Sequence, residues 1–148
     1  MEIDPRGPRF GALITTVVLA VVLVTGSVWL LAAQAVVFAV GAVFGLRHSP
    51  YGLLYRRLVR PRLGPPTELE PEAPPRFAQA VGLVFAVVGL AGYAAGPTWL
   101  GMAATATALA AAFLNAAFGF CLGCEMYVLI RRVWPGRQAT RALGAGQR

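Results

Sequence analysis

The chain has 148 residues, of which 57% are hydrophobic and only 13% charged, with a formal net charge of +7. Ordinary soluble domains are about 45–50% apolar and about 25% charged, so a disordered chain, a collagen, a disulfide-rich secreted scaffold and a soluble globular domain are all excluded. The class that remains is a small integral membrane protein.

Four uncharged apolar stretches follow one another along the chain: Phe10 to Thr25, Val28 to Leu46, Phe77 to Ala95 and Trp99 to Phe120. Each is close to the roughly 20 residues that cross a hydrocarbon core of about 30 Å. Backbone groups in lipid must bond within the chain, so these segments are expected as helices. The first is not a cleavable signal peptide, because a second span follows at once with no A-x-A site between them. Thr25-Gly26-Ser27 and Gly96-Pro97-Thr98 are short uncharged turns, and each is expected to close a helical hairpin. Trp29, Tyr93 and Trp99 flank those turns, where aromatic residues suit the water-lipid interface.

All thirteen basic residues are arginine, and none lies in either hairpin turn. Arg6 and Arg9 precede the first span. Arg47, Arg56, Arg57, Arg60, Arg62 and Arg76 occupy the loop over residues 47–76. Arg131, Arg132, Arg137, Arg141 and Arg148 follow the fourth span. By the positive-inside rule, both termini and the central loop are expected in the cytoplasm, in a multi-pass protein of the cell membrane. Without aromatic-basic interleaving or a binding motif, the arginines point to no nucleic-acid partner.

The sequence therefore reads as an all-α integral membrane four-helix bundle over residues 1–134, made of two hairpins, with an Arg-rich tail over 135–148 expected to be disordered. The two halves also offer a parallel internal repeat, against the plainer reading that apolar hairpins rich in Gly and Ala look alike by composition. GPRF at Gly7–Phe10 corresponds to PPRF at Pro74–Phe77, and AVFGLRHSPY (Ala42–Tyr51) corresponds to AAFGFCLGCEMY (Ala116–Tyr127). Within the loop, Ser49-Pro50 is a helix-start signal. Tyr51, Leu54, Tyr55 and Leu58 then recur at helical spacing, which predicts a short surface helix that Pro61 ends. Its Arg56, Arg57 and Arg60 would meet lipid headgroups or a partner. Gly64–Pro75, with five prolines, is expected as an extended linker.

Chemistry concentrates in Cys121 and Cys124, the only cysteines, in the sequence C-L-G-C with Glu125 directly after. This spacing is that of dithiol redox motifs, in which one thiolate attacks and the other resolves. At the inner end of the fourth span a permanent structural disulfide is disfavoured and a reversible dithiol is allowed. Gly119 and Gly123 leave two outcomes open: a helix loosened over Phe118–Gly123, or one continuous helix to about Trp134. Arg9, Arg47, His48, Gln79 and Asn115 are expected to converge with the cysteines on one pocket. A guanidinium there would favour the thiolate, and Glu125 would oppose it. Two cysteines and a lone histidine fall short of the usual four metal ligands, so neither metal nor other cofactor is expected. Gln34, Gln79 and Asn115 are expected in inter-helix hydrogen bonds. Gly41, Gly45, Gly82, Gly89 and Gly92 are expected at close helix contacts, with G-x-x-x-G at Gly41–Gly45 as a homo-oligomer motif.

The segments DPRGPRF, SPYGLLYRRLVRPRLGPP, PPRFAQAVG and NAAFGFCLGCE resemble a family of bacterial four-span membrane proteins designated only as a domain of unknown function. The likeness reaches to about Arg132, and FGFCLGCE is its most specific block. The resemblance implies a setting, because genes of this kind are grouped with thioredoxin-like proteins and thiosulfate sulfurtransferases. The leading functional expectation is a cytoplasm-facing dithiol exchanging electrons or sulfane sulfur with such a partner. The alternatives are a transporter or channel subunit for a small sulfur species, and a membrane anchor that recruits a soluble enzyme.

Overall fold

The computed structural model describes residues 1–134, so the expectation for the tail over 135–148 lies outside the described residues. The order of elements is β1 (Glu2–Ile3), α1 (Arg6–Thr25), α2 (Val28–Phe44), α3 (Pro50–Leu54), a π-helical turn (Tyr55–Val59), α4 (Arg60–Leu63), β2 (Glu70–Pro71), α5 (Ala73–Ala94), α6 (Thr98–Phe118) and α7 (Leu122–Val133). The fold is all-α apart from the two-residue antiparallel pair β1–β2, in which Glu2 faces Pro71 and Ile3 faces Glu70.

α1, α5 and α6 are long and apolar enough to cross a membrane. α2 was expected to run to Leu46, but it ends at Phe44 after 17 residues, because Gly45 leaves the helix with φ +89°. Large apolar side chains such as Val17, Val36, Val84 and Phe113 face outward, as contact with a lipid bilayer requires.

Helix ends follow local chemistry. Gly26 adopts the left-handed conformation that closes α1, its N–H donating to the Val22 carbonyl, and the Ser27 hydroxyl then accepts from Leu30 N–H to start α2. α5 begins at Ala73, four residues earlier than expected, because Pro74 and Pro75 fit a first turn whose N–H groups need no partner within the helix.

Packing departs from two simple hairpins. α5 and α6 pack against each other, and near their turn Gly92 lies so close to Gly101 that an added Cβ would overlap its backbone. α1 and α2 instead touch little and pack chiefly on the other hairpin, α1 on α6 and α2 on α5. On α2 and α5, Gly41 meets the Gln79 side chain, Gly82 meets Phe38, and Gly89 meets Leu31. Gly41 is thus used within the chain and Gly45 lies outside the helix, so the G-x-x-x-G pattern offers no free dimer face. The tight core gathers Leu19, Val22, Leu31, Ala35, Phe38, Ala86 and Ala108, mostly toward the hairpin turns. The opposite end, where α1 and α5 begin and α2 and α6 finish, is more open.

What separates α1 from α2 at that end is α3. The predicted surface helix tucks its aromatic face inward: Tyr51 lies over Gly11 and Tyr55 over Gly7. Tyr51 OH donates to Gln34 Oε1 at 2.7 Å, and Gln34 Nε2 donates to Thr15 Oγ1 at 3.4 Å. Gln34 thereby makes the inter-helix bonds expected of it. Tyr55 OH donates to Asp4 Oδ2 at 2.9 Å. Leu54 and Leu58 stay exposed. Pro61 does not end this segment as expected. It lacks an N–H and would crowd the carbonyl four residues back, and the chain widens into a π turn in which Arg60 N–H donates to the Tyr55 carbonyl. The helix then continues to Leu63.

The linker is also more constrained than its composition suggests. Glu72 is buried, its N–H donates to the Met1 carbonyl, and its Oε1 accepts from Leu46 N–H at 3.0 Å. Arg76 donates to the Ala42 and Val43 carbonyls at 2.8–3.2 Å. Together they cap the exposed end of α2 from another part of the chain.

The two halves share local detail. α2 and α6 both end in Phe-Gly with glycine at positive φ, at Gly45 and Gly119. The Phe10–Tyr55 and Phe77–Tyr127 ring pairs have centroids 5.8 and 5.7 Å apart, at 47° and 50°.

Burial raises the pKa of Tyr51 above its ordinary 10.0, and burial followed by the hydrogen bond to Asp4 raises that of Tyr55. Proton loss is thus harder in the folded state. The resulting stability is complete below pH about 10 and is lost as pH rises through the raised values. Spectrophotometric titration should show two tyrosines ionising above the ordinary range, and Tyr55→Phe should remove one of them. Ordinary midpoints for both would contradict these contacts.

Candidate functional site

The cysteine pair is placed by a helix break, not by a continuous helix face. α6 stops at Phe118, where Gly119 turns left-handed at φ +67° and its N–H donates to the Asn115 carbonyl. A residue with a Cβ is strained in that region. Phe120 completes the turn, and Cys121 then stands as the N-cap of α7. Of the two outcomes left open by the sequence, the loosened helix is the one found.

Cys121 and Cys124 are paired as a disulfide, with Cα atoms 5.2 Å apart. This lies inside the usual bridging span of about 4.4–6.8 Å. Cys124 N–H donates to Cys121 Sγ at 3.3 Å, and Glu125 N–H donates to the Cys121 carbonyl at 3.0 Å. The Cys121 sulfur therefore takes the place of a serine or aspartate oxygen at the start of a helix. Free N–H groups and the positive end of the helix dipole favour negative charge at that position. Both cysteines are half-buried.

Gly123 holds this turn against the bundle. A Cβ there would lie 2.6 Å from Cα and Cβ of Ala78 on α5. One turn later, the Phe77–Tyr127 ring pair fixes the same two helices. Tyr127 also accepts a hydrogen bond from Arg131 at 3.1 Å. Sequence reasoning missed Ala78 as the neighbour that approaches Gly123. A glycine between two cysteines was the available sign of a close backbone approach.

A crevice of about 700 Å³ opens beside the pair. Cys121, Cys124, Arg9, Gln79 and Asn115 line one end, and Phe38, Phe85 and Ala111 line its apolar depth. The Arg9 guanidinium carbon lies 3.5 Å from where a Cβ at Gly119 would project, beside the turn leading to Cys121. Three of the expected supporting residues are thus brought to the cysteines.

The others are not. Gly45 turns the chain away after α2, so Arg47 and His48 lead toward α3, away from α6. Arg47 donates to the Glu2 carbonyl at 3.1 Å and, with Arg56, Arg60 and Gln79, lines a separate cavity of about 350 Å³. His48 Nδ1–H donates to the Phe44 carbonyl at 2.8 Å and is exposed. Glu125 is exposed and lies outside the crevice lining. Arg56 donates to the Arg47 carbonyl at 3.1 Å, while Arg57 stays exposed. Among the described residues, no group of three or more His, Cys, Asp or Glu side chains is placed to hold a metal ion. The apolar depth of the crevice, beyond the polar pocket expected at the cysteines, was not foreseen. Its signal is the run of small residues in α6, where Ala108, Ala110, Ala111 and Ala112 leave space that larger side chains would fill.

The family model described as "Domain of unknown function (DUF4395)" matches residues 3–132. No curated protein and no solved structure matches the chain.

Gly123→Val should push α7 from α5 and cost about 1–3 kcal/mol of stability, as overpacking of a close contact does. Thermal unfolding of the purified protein in detergent measures this. An unchanged midpoint would show that the contact does not hold the turn.

Proposed function

The chain belongs to the DUF4395 family, and we propose that it is a multi-pass membrane protein whose Cys121–Cys124 pair exchanges electrons or sulfane sulfur with a soluble thioredoxin-like or sulfurtransferase partner. The observation that carries this reading is the placement of Cys121 at the N-terminus of α7, with its sulfur accepting the Cys124 N–H.

In this reading α2 joins α1, α5 and α6 as a membrane span, making four in all. Its 17 residues lie at the short limit of about 17–25, and packing on α5 supports it. The arginine distribution then puts both termini, the central loop and the cysteine end of the bundle in the cytoplasm. α7 carries exposed Met126, Leu129, Ile130 and Val133 together with Arg131 and Arg132. That composition suits a helix lying in the membrane interface, which would keep the pair at the water boundary. The matching Phe-Gly ends and Phe–Tyr ring pairs support a parallel repeat, with the α3 segment and α7 as counterparts.

The chemistry assigns unequal roles. The Cys121 thiolate attacks a sulfur of the partner's disulfide, forming a mixed disulfide as the partner's second sulfur leaves as a thiolate. Cys124 then attacks Cys121 Sγ, closing the internal bond and releasing the partner in dithiol form. The reverse sequence oxidises a partner dithiol. Arg9 favours the anionic sulfur by its charge, and Gln79 and Asn115 provide polar lining. Arg56, Arg57 and Arg60, on the α3 side, would hold lipid headgroups or the partner. A transporter for a small sulfur species has less support, because charge in the crevice lining is confined to Arg9 and Glu70. An anchor without chemistry would retain its function after loss of both cysteines.

Cys124→Ser should accumulate a mixed disulfide between Cys121 and a thioredoxin-like protein, visible as a band that dithiothreitol removes. Cys121→Ser should abolish it. Equal trapping by both variants would refute the assignment of roles, and an equal band from the double variant would refute the exchange itself.

A further inference from the structure

The crevice beside the cysteines has a form that exchange with a soluble partner does not use. It is lined by exposed Thr107 and Ala110 midway along α6 and by Phe118 and Gly119 at the cysteine end. The helical rise from Thr107 to Phe118 is about 16 Å. Thr107 and Ala110 lie midway along a helix long and apolar enough to span, and both are exposed, so a bilayer around α6 would meet the crevice from its side. Its walls are apolar for most of that length, with Phe38, Phe85 and Ala111 among them. Arg9, Gln79 and Asn115 lie at the sulfur end. Its volume of about 700 Å³ falls in the range of small-molecule sites, about 300–1,000 Å³.

We propose that this crevice binds a lipid-soluble quinone, which accepts two electrons from the Cys121–Cys124 dithiol. The proposal rests on the dithiol reading above and supplies the membrane side of the exchange. An acyl lipid would match the walls but has no group to accept electrons from sulfur. A water-soluble oxidant would have no use for a long apolar channel open to lipid. A quinone has both parts: an apolar tail for the crevice, and a flat head whose carbonyl oxygens accept hydrogen bonds from Arg9, Gln79 or Asn115. Arg9 would also stabilise the negative charge that develops on a quinone oxygen as it is reduced.

The step balances. Two thiols lose two electrons and two protons, and the Cys121–Cys124 bond forms. The quinone takes up two electrons and two protons and leaves as the quinol. A partner dithiol then restores the reduced pair, so each cycle moves two electrons from the soluble partner to the membrane quinone.

The test uses the full chain in detergent, reduced, freed of reductant and kept anaerobic, with a one-isoprene ubiquinone as probe. Quinone absorbance and free thiols are followed together. One quinone should be reduced per chain as both thiols disappear, about tenfold faster than by the same concentration of dithiothreitol. Ala111→Phe fills the crevice, and Thr107→Phe obstructs its exposed rim with less risk to folding. Each should slow quinone reduction about tenfold while leaving exchange with glutathione disulfide unchanged. If glutathione disulfide oxidises the pair but quinone reduction is no faster than by dithiothreitol, or ignores both variants, the quinone proposal is overturned and the dithiol reading stands. Quinone that binds without thiol loss overturns it equally. Thiols inert to both oxidants overturn the dithiol reading and this proposal with it.

Discussion

Inside a bilayer no water is available to backbone amides and carbonyls, so every helix end near the hydrocarbon must find its partners within the chain. Two ends lie together in this molecule and are resolved differently. At the end of α2, Arg76 donates to the Ala42 and Val43 carbonyls while Glu72 accepts from Leu46 N–H. At the end of α6, left-handed Gly119 folds its own N–H back to the Asn115 carbonyl. The second solution sets the chemistry. It stops the helix at Phe118 and delivers Cys121 to the head of a new one. Had α6 continued, the cysteines would share a helix face without the N-terminal N–H groups that favour a thiolate.

The same constraint explains the uneven packing. Around the hairpin turns, glycine and alanine allow backbones to meet, and Leu19, Val22 and Leu31 are fully buried. Toward the cysteine end, α3 wedges between α1 and α2, and the small residues of α6 leave a crevice. Stability is concentrated in one half of the bundle and open volume in the other. Such a division suits a protein that must admit a ligand or partner without loosening its core.

Apolar length is a coarse signal, and the helical segments and the turns could be read from it; the close Cys121–Cys124 pair follows from the C-L-G-C spacing. Long-range polar contacts could not be read this way. Nothing local marks Glu72 as buried within a proline-rich linker, or Asp4 as the acceptor for Tyr55 fifty-one positions away. Pro61 was misleading, because a π turn absorbs the missing hydrogen bond that ordinarily ends a helix. Arg47 and His48 were expected near the cysteines because they end the second span at the same depth. The backbone turn at Gly45, whose direction spacing cannot specify, sends them elsewhere. Arg9, Gln79 and Asn115 do line the crevice beside the pair, because depth along a straight span follows directly from residue count.

The central claim is that the sulfur pair is a reducible dithiol at the cytoplasmic boundary. Labelling of Cys121 and Cys124 by a membrane-impermeant maleimide tests it most directly, in intact cells and in cells opened after mild reduction. The account predicts no label in intact cells and full label at both positions once opened and reduced. Label in intact cells would place the pair on the outer face, and none under either condition would show the sulfurs to be sealed from water; either result would contradict exchange with a cytoplasmic partner.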